Sequence, residues 1–234
     1  MSVRSPPCQQ ESVLYSTDMI ESDPIAPPCG RRAARKEERR KAILAVALAV
    51  FCDQGYAAAT MSAIAARLGG SKGTLWRYFA SKEELFRAVT DEVSGRVAES
   101  VVPLLDSGLP LREALLRFCH HFIATISTPE AIAIYRMIVG ESGQFPELGR
   151  GFRDNNVRRI ESGLAAFVAR HMEDGTLRRE DPARIATTIT SLCLGEAYRE
   201  ALWGSLPPDP AKVAADAAYT TDLVLRCYTA RPMT

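Results

Sequence analysis

The sequence predicts an all-α protein in which a small three-helix head precedes a larger helical bundle of about nine helices in total. Three observations carry this. Beyond residue 34 no stretch alternates apolar and polar residues for long enough to make a strand, and apolar residues recur at helical spacing instead. Helix-capping residues punctuate that pattern at regular intervals. Charge is also uneven. From Arg31 to Lys82 there are eleven Lys or Arg against three acids, a net +8 in a chain whose total is +1, so the remainder carries −7.

The elements follow in order. Residues 1–34 are rich in Ser and contain Pro6, Pro7, Pro24, Pro27 and Pro28, the composition of a disordered arm. A basic run from Arg31 to Lys41 leads into a first helix, about 36–54, with Ile43, Leu44, Ala47, Leu48 and Phe51 on one face. Thr60 and Ser71 each precede a short helix, 61–68 and 72–78. Ser81 and Glu84 form a capping box that opens 82–104. Helices over 110–126, 129–140, 146–173, 182–203 and 210–229 follow. Three of these begin with a capping side chain before a first-turn proline: Thr128-Pro129, Asp181-Pro182 and Asp209-Pro210. Gly140, Gly175 and Gly204 fall where helices should stop. The domains expected are an arm over 1–34, a three-helix head over 35–88 and a second domain over 89–230.

Composition bounds the function. Hydrophobic residues make up 47% of the chain, enough for a sizeable core. The longest apolar run, about Ala42 to Cys52, is too short to cross a bilayer, and the start of the chain lacks a secretory pattern, so a cytoplasmic protein without a membrane partner is expected. None of Cys8, Cys29, Cys52, Cys119, Cys193 and Cys227 is spaced for a redox motif or zinc ribbon, which points to buried thiols. His120, His121 and His171 offer no metal geometry. No cofactor and no metal are expected. Gly69-Gly70-Ser71-Lys72-Gly73-Thr74 superficially resembles a phosphate loop, but the Lys precedes the Gly and no strand leads in.

The two short helices meet across Leu68-Gly69-Gly70-Ser71, the arrangement of a helix-turn-helix. Ile64, Ala65 and Leu68 should face Leu75 and Phe79, leaving one helix free for the major groove. The runs Thr60–Gly69, Ser71–Phe79 and Ser81–Phe86 resemble the N-terminal domain of the tetracycline-repressor (TetR) family, over about Ala42 to Ala88. Gly70 departs from the family, which usually has a β-branched residue there, and would let the backbone take a positive φ.

Each DNA-contact candidate has a physical role. Ser71, Lys72 and Gly73 start the recognition helix, where an ammonium and the helix N-terminus attract phosphate or a guanine edge. Thr74 can donate to phosphate or touch a thymine methyl. Trp76 is either core or set against the sugar-phosphate wall, and the resemblance implies the latter. Arg77 is either a phosphate contact or a solvated charge. The Tyr78 hydroxyl suits a phosphate oxygen. Lys82 touches the DNA backbone by resemblance. Thr60 and Ser62 can present hydroxyls or amides to phosphate.

Beyond about Val93 the helices are longer and apolar on wide faces, able to hold a ligand between them. The segment Tyr135–Leu148, with Gly175-Thr176-Leu177 and Asp181-Pro182, resembles the C-terminal domain of an AefR-like subgroup. That resemblance implies a small-molecule effector and a homodimer built from the last two helices of each chain. Candidate effector contacts are Phe118, His121, Phe122, Tyr135, Met137, Glu141, Phe145, Asn156, Tyr198 and Trp203, each of which could instead be core. Glu141 follows an apolar stretch, so a buried carboxylate there needs a partner: a cationic ligand, Arg136 or a helix end.

The function expected is a ligand-responsive transcriptional regulator, a repressor released from a palindromic double-stranded DNA operator by a small molecule. The alternatives are a helical-bundle enzyme, for which no catalytic constellation is visible, and a sequence-independent DNA binder.

Overall fold

Each helix forms where capping and apolar spacing agree, and the model, computed from the sequence, describes residues 28–69, 72–204 and 207–230, with side chains from residue 32 onward except that of Lys72. Eleven α-helices are seen among these residues: α1 Pro28–Ala58, α2 Met61–Arg67, α3 Lys72–Tyr78, α4 Lys82–Val101, α5 Leu111–Ile126, α6 Pro129–Glu141, α7 Pro146–Phe152, α8 Arg158–Glu173, α9 Pro182–Leu192, α10 Glu196–Trp203 and α11 Pro210–Tyr228. The only extended pairing described is an isolated bridge between Leu177 and Thr229. Contacts divide the chain into Met1–Glu38 and Arg39–Thr234, and the packing below is that of the second unit.

The capping signals act as the sequence implies. Thr60 accepts from the Ala63 amide at 3.1 Å, Asp181 from Ala183 at 2.9 Å and Asp209 from Ala211 at 2.8 Å, each satisfying an otherwise orphaned helix N–H. Ser81 accepts from the Glu84 amide at 3.1 Å. The return bond of that box is displaced by one residue: the Glu84 carboxylate accepts from Ala80, at 2.8 Å.

The head core joins α1, α2, α3 and the first half of α4. Ile43, Ala47, Phe51, Ile64, Leu75 and Leu85 are fully enclosed. Each such aliphatic side chain contributes about 1.5–3 kcal/mol by burial. Phe51 and Phe86 meet edge to face at 5.1 Å, and Tyr56 meets Phe86 at 4.9 Å. A second core fills the bundle between α5, α8, α9 and α11, around Leu115, Phe118, Leu164, Ile189 and Ala217. Two helices belong to both halves. α4 gives Val89 and Val93 to the head core, then Val97, Ala98 and Val101 to the bundle. α6 gives Ile134 and Ile138 to the head, while Ile132 packs with Tyr198 and Ala201 of α10.

Several boundaries differ from the sequence expectation. α1 begins at Pro28 rather than near 36, so 28–34 is helical and only residues 1–27 of the expected arm lie outside the described residues. Pro28 needs no N–H at a helix start, and the Ala-, Arg-, Lys- and Glu-rich run behind it favours helix. The Arg32–Ala58 part is long and apolar enough by composition to cross a membrane. Its Ile43, Leu44, Ala47, Val50 and Phe51 are instead buried in the head core. α1 is broken near its end at Gly55, whose φ of 77° a side chain would resist.

α4 tightens into a 3-10 turn over Val102–Asp106, where Pro103 lacks an amide. The helix expected over 146–173 contains a π turn, Arg153–Val157, between α7 and α8. The helix expected over 182–203 breaks at Cys193–Gly195. There the Asp216 carboxylate occupies the space a side chain at 195 would need, 2.7 Å from an added Cβ, and accepts from the Ala197 amide at 2.8 Å. Gly140 does not stop α6, which continues to Glu141. The turn before α3 uses Gly69, at φ 68°, while Gly70 lies outside the described residues.

Candidate nucleic-acid interface and effector cavity

α3 has one buried and one open side. Leu75 and Phe79 lock into the head core with Ile64 and Ala65. Gly73, Trp76 and Arg77, spaced by three and four residues, lie exposed on the other side. Trp76 keeps half of its surface in solvent. The Arg77 guanidinium lies 5.7 Å from the centre of the Tyr78 ring, and Tyr78 itself leans half-buried on the head core. Thr74 is half-buried. Thr60 and Ser62 are exposed at the start of α2, although the Thr60 hydroxyl oxygen already caps that helix. Ser71 and the Lys72 side chain lie outside the described residues.

Lys82 differs from the role expected of it. Its ammonium donates to the carbonyls of Tyr56 at 2.9 Å and Ala57 at 3.2 Å, and lies 4.4 Å from the centre of the Tyr56 ring. Those carbonyls are left open by the break at Gly55, so Lys82 closes the end of α1. Two of its three N–H donors are thereby used inside the protein. Glu141 serves the same broken end: its carboxylate accepts from the Ala57 amide at 3.1 Å. Of the three partners considered for Glu141, the structure supplies a helix end. Phe145, in the turn after α6, meets Tyr56 at 5.3 Å. Burial pushes the Tyr56 hydroxyl above its usual range, reinforced by Glu83, whose carboxylate it approaches at 3.3 Å. The Glu83 carboxyl is in turn held below its usual value, first by its own backbone amide and then by Ser81.

A cavity of about 280 Å³ lies behind the head, lined by α4, α5, α6, the end of α7, the π turn, α8, α9, the break after it and α10. Of the effector candidates, Phe122, Tyr135, Asn156 and Tyr198 line it. Tyr135 sits edge-on to Tyr198 at 6.0 Å and to Phe152 at 6.4 Å. Burial raises the Tyr198 hydroxyl, with a smaller contribution from Tyr135. Asn156 is brought inward by the π turn, a distortion frequent at functional sites, and its amide donates to Asp91 at 3.4 Å.

The other candidates lie elsewhere. Phe118 is sealed in the bundle core, stacked on Phe122 at 5.6 Å. Met137 and Phe145 lean on the head core. His121 is exposed in a shallow surface groove between α5 and α11, and Trp203 is three-quarters exposed at the end of α10. The sequence reading passed over Ser94, Phe152, Glu161, Thr190 and Leu194, which also line the cavity. A polar residue on an apolar helix face was the available signal for Glu161 and Thr190.

A larger groove, about 610 Å³, runs on the outer side of α4 beside α1. It carries Lys41, Glu92, Arg96 and Glu130 on its walls, a charged character that suits an effector less well than the more apolar cavity. Among the described residues no group of three or more His, Cys, Asp or Glu could hold a metal ion. Cys119 and Cys193 are buried, as expected, whereas Cys52 and Cys227 are exposed. The Cys193 thiol is pushed up, first by its hydrogen bond with the free Cys119 thiol and then by burial, which leaves it unreactive. Cys8 and the Cys29 side chain lie outside the described residues.

Comparison with known proteins gives a consistent result. Residues 43–89 match the family described as bacterial regulatory proteins, tetR family, and residues 113–230 match the AefR-like transcriptional repressor, C-terminal domain. The HTH-type transcriptional regulator BetI of Rhizobium meliloti is 31% identical over 189 residues, covering 80% of this chain and 87% of its own. A putative TetR-family transcriptional regulator from Mesorhizobium loti superposes with a TM-score of 0.75 at 26% identity, over 85% of this chain and 98% of that one. The Flavonoid-responsive Regulator FrrA superposes with a TM-score of 0.70 at 28% identity, over 83% and 99%.

Proposed function

Because the chain belongs to the TetR family of transcriptional regulators, we propose that it is a repressor whose grip on a palindromic operator is released when a small molecule fills the cavity behind its head. The head, over 35–88, reads DNA, and the domain over 89–230 binds effector and forms a homodimer. The members of this family are regulators and not enzymes. A cytoplasmic location follows from binding DNA.

The observation that carries the reading is the double membership of α4 and α6. Both line the cavity, through Val93, Ser94 and Val97 on α4 and Ile134 and Tyr135 on α6. Both also end on the broken terminus of α1, through Lys82 and Glu141. A ligand that favours one tilt of these helices therefore favours one placement of the head. One α3 reads few bases, so a dimer reading two half-sites gives the specificity a repressor needs. Trp76 and Arg77 are assigned to the sugar-phosphate wall, with Lys72 and Tyr78 beside them.

The dimer face is assigned to the outer sides of α9 and α11. Ile185, Ile189, Ala197, Val213 and Ala217 are consumed by the protomer's own core. The sides left exposed carry Ala183, Thr187 and Ser191 on α9 and Ala214 and Ala218 on α11, small residues that permit close helix approach, with the exposed ring of Tyr219 beside them.

Gel-shift and footprinting titrations of the gene's own upstream region and neighbouring promoters test the proposal. A discrete, salt-sensitive, two-fold symmetric footprint supports it. Uniform coverage of every duplex favours the sequence-independent binder instead.

A further inference from the structure

We infer that the effector is an organic cation, an ammonium or amidinium group on a compact aromatic or aliphatic body. This rests on the cavity being the effector site and adds its charge class. The lining is largely apolar, and its aromatic side chains are Phe122, Tyr135, Phe152 and Tyr198. The ionisable group with a charge at neutral pH on that lining is Glu161, on the first turn of α8. Its only hydrogen bond among the described residues is a long one, 3.5 Å from the Thr190 hydroxyl. No cation pairs with it among the described residues.

The neighbouring cations are engaged elsewhere. Arg158 pairs with Asp154 at 3.0 Å, Arg159 lies 3.9 Å from Glu99, and Arg96 faces the outer groove on the far side of α4. Behind Asn156 stands a second carboxylate, Asp91, which takes the Asn156 amide and leaves the Asn156 carbonyl oxygen as an acceptor. The cavity thus combines an unpaired carboxylate, acceptor oxygens and the negative faces of aromatic rings. A charge in apolar surroundings is stable only when paired, and ring faces attract cations. An anionic ligand meets the Glu161 carboxylate and no compensating cation on the lining. A volume of about 280 Å³, at the low end for small-molecule sites, limits the body to one or two rings.

Calorimetric titration of the full-length protein with naphthylmethylammonium, naphthalenemethanol and naphthoate tests this, since the three share one body and differ in charge. The expected result is that the ammonium binds about tenfold or more tightly than the alcohol, and that naphthoate gives no heat. Glu161→Gln should erase that preference, bringing the ammonium down to the affinity of the alcohol. Leu194→Trp, at an exposed position on the rim, should block ammonium and alcohol alike. Alcohol or naphthoate binding as tightly as the ammonium, and blocked by Leu194→Trp, overturns the charge assignment and keeps the cavity as the effector site. Binding that Leu194→Trp leaves untouched, or no binding by any probe, overturns both.

Discussion

The Glu141 carboxylate accepts a hydrogen bond from the Ala57 amide at 3.1 Å, across 84 residues of sequence. This bond ties the last turn of α6 to the end of α1, where Gly55 has interrupted the helix and freed its backbone groups. Lys82, from α4, takes the carbonyls of the same end. An acid and a base from the two helices that line the cavity therefore hold one break in the head.

Loss of either tie should loosen the head more than it unfolds the protein. The Glu141 contact is exposed and the Lys82 contacts are at most part-buried, so Glu141→Ala should cost about 0.5–1 kcal/mol and Lys82→Met about 1 kcal/mol of global stability. Amide exchange at Tyr56–Ala59 should rise far more than at Leu164–Val168 in the bundle. Equal acceleration in both segments contradicts the local tie.

The Gly195–Asp216 contact predicts a sign reversal in a double-mutant cycle. Gly195→Ala forces a methyl against the carboxylate and should cost about 1–3 kcal/mol, while Asp216→Ala removes the cap on α10 and should cost about 0.5–2 kcal/mol. In the Asp216→Ala background, Gly195→Ala should be close to neutral or mildly stabilising. Denaturant unfolding of the four proteins gives the coupling, and strict additivity rules out the contact.

Trp76→Ala and Arg77→Ala separate DNA binding from folding. Trp76 is half exposed and Arg77 exposed, so both variants should keep the wild-type melting temperature within about 0.5 kcal/mol of stability. Both should weaken operator binding, and Arg77→Ala should reduce the salt slope by about one per half-site. Leu75→Ala, by contrast, should cost about 2–5 kcal/mol through the cavity it leaves.

Alkaline pH should destabilise the fold through Tyr56 and Tyr198. Both hydroxyls are raised in the folded protein above the ordinary value of 10.0, chiefly by burial. Below pH 10 neither state is ionised, and their contribution is fully present. Above it the unfolded chain loses protons that the folded chain retains, so stability falls as pH rises. Tyr56→Phe with Tyr198→Phe should flatten urea-unfolding stability between pH 9 and 11; an unchanged slope excludes these two groups as its source.

What could be seen in the sequence was what depends on near neighbours. Thr60, Ser81, Asp181 and Asp209 cap amides two or three residues away, so local spacing disclosed them. The head core was also legible, because Ile64, Leu75 and Phe79 lie within a short stretch with one apolar face. The break before α10 was not, since it depends on Asp216 arriving from α11. The partners of Lys82 and Glu141 were hidden for the same reason: both are backbone groups, which carry no residue identity to read. Within the cavity, Tyr135 and Tyr198 could be picked out by type, whereas Trp203 and His121 have the same chemistry on outward-facing positions.

The most direct test of the account is the affinity of the full-length protein for its footprinted site against a scrambled duplex of equal length, measured across salt concentration by fluorescence anisotropy. A sequence-reading repressor should prefer its site by about 10³ or more, and replacing Lys72 and Thr74, the α3 residues suited to base edges, by Ala should remove most of that preference while both duplexes keep a salt-dependent residual affinity. Equal affinity for the two duplexes, or a preference that this double replacement leaves intact, contradicts the assignment of α3 as the reading helix.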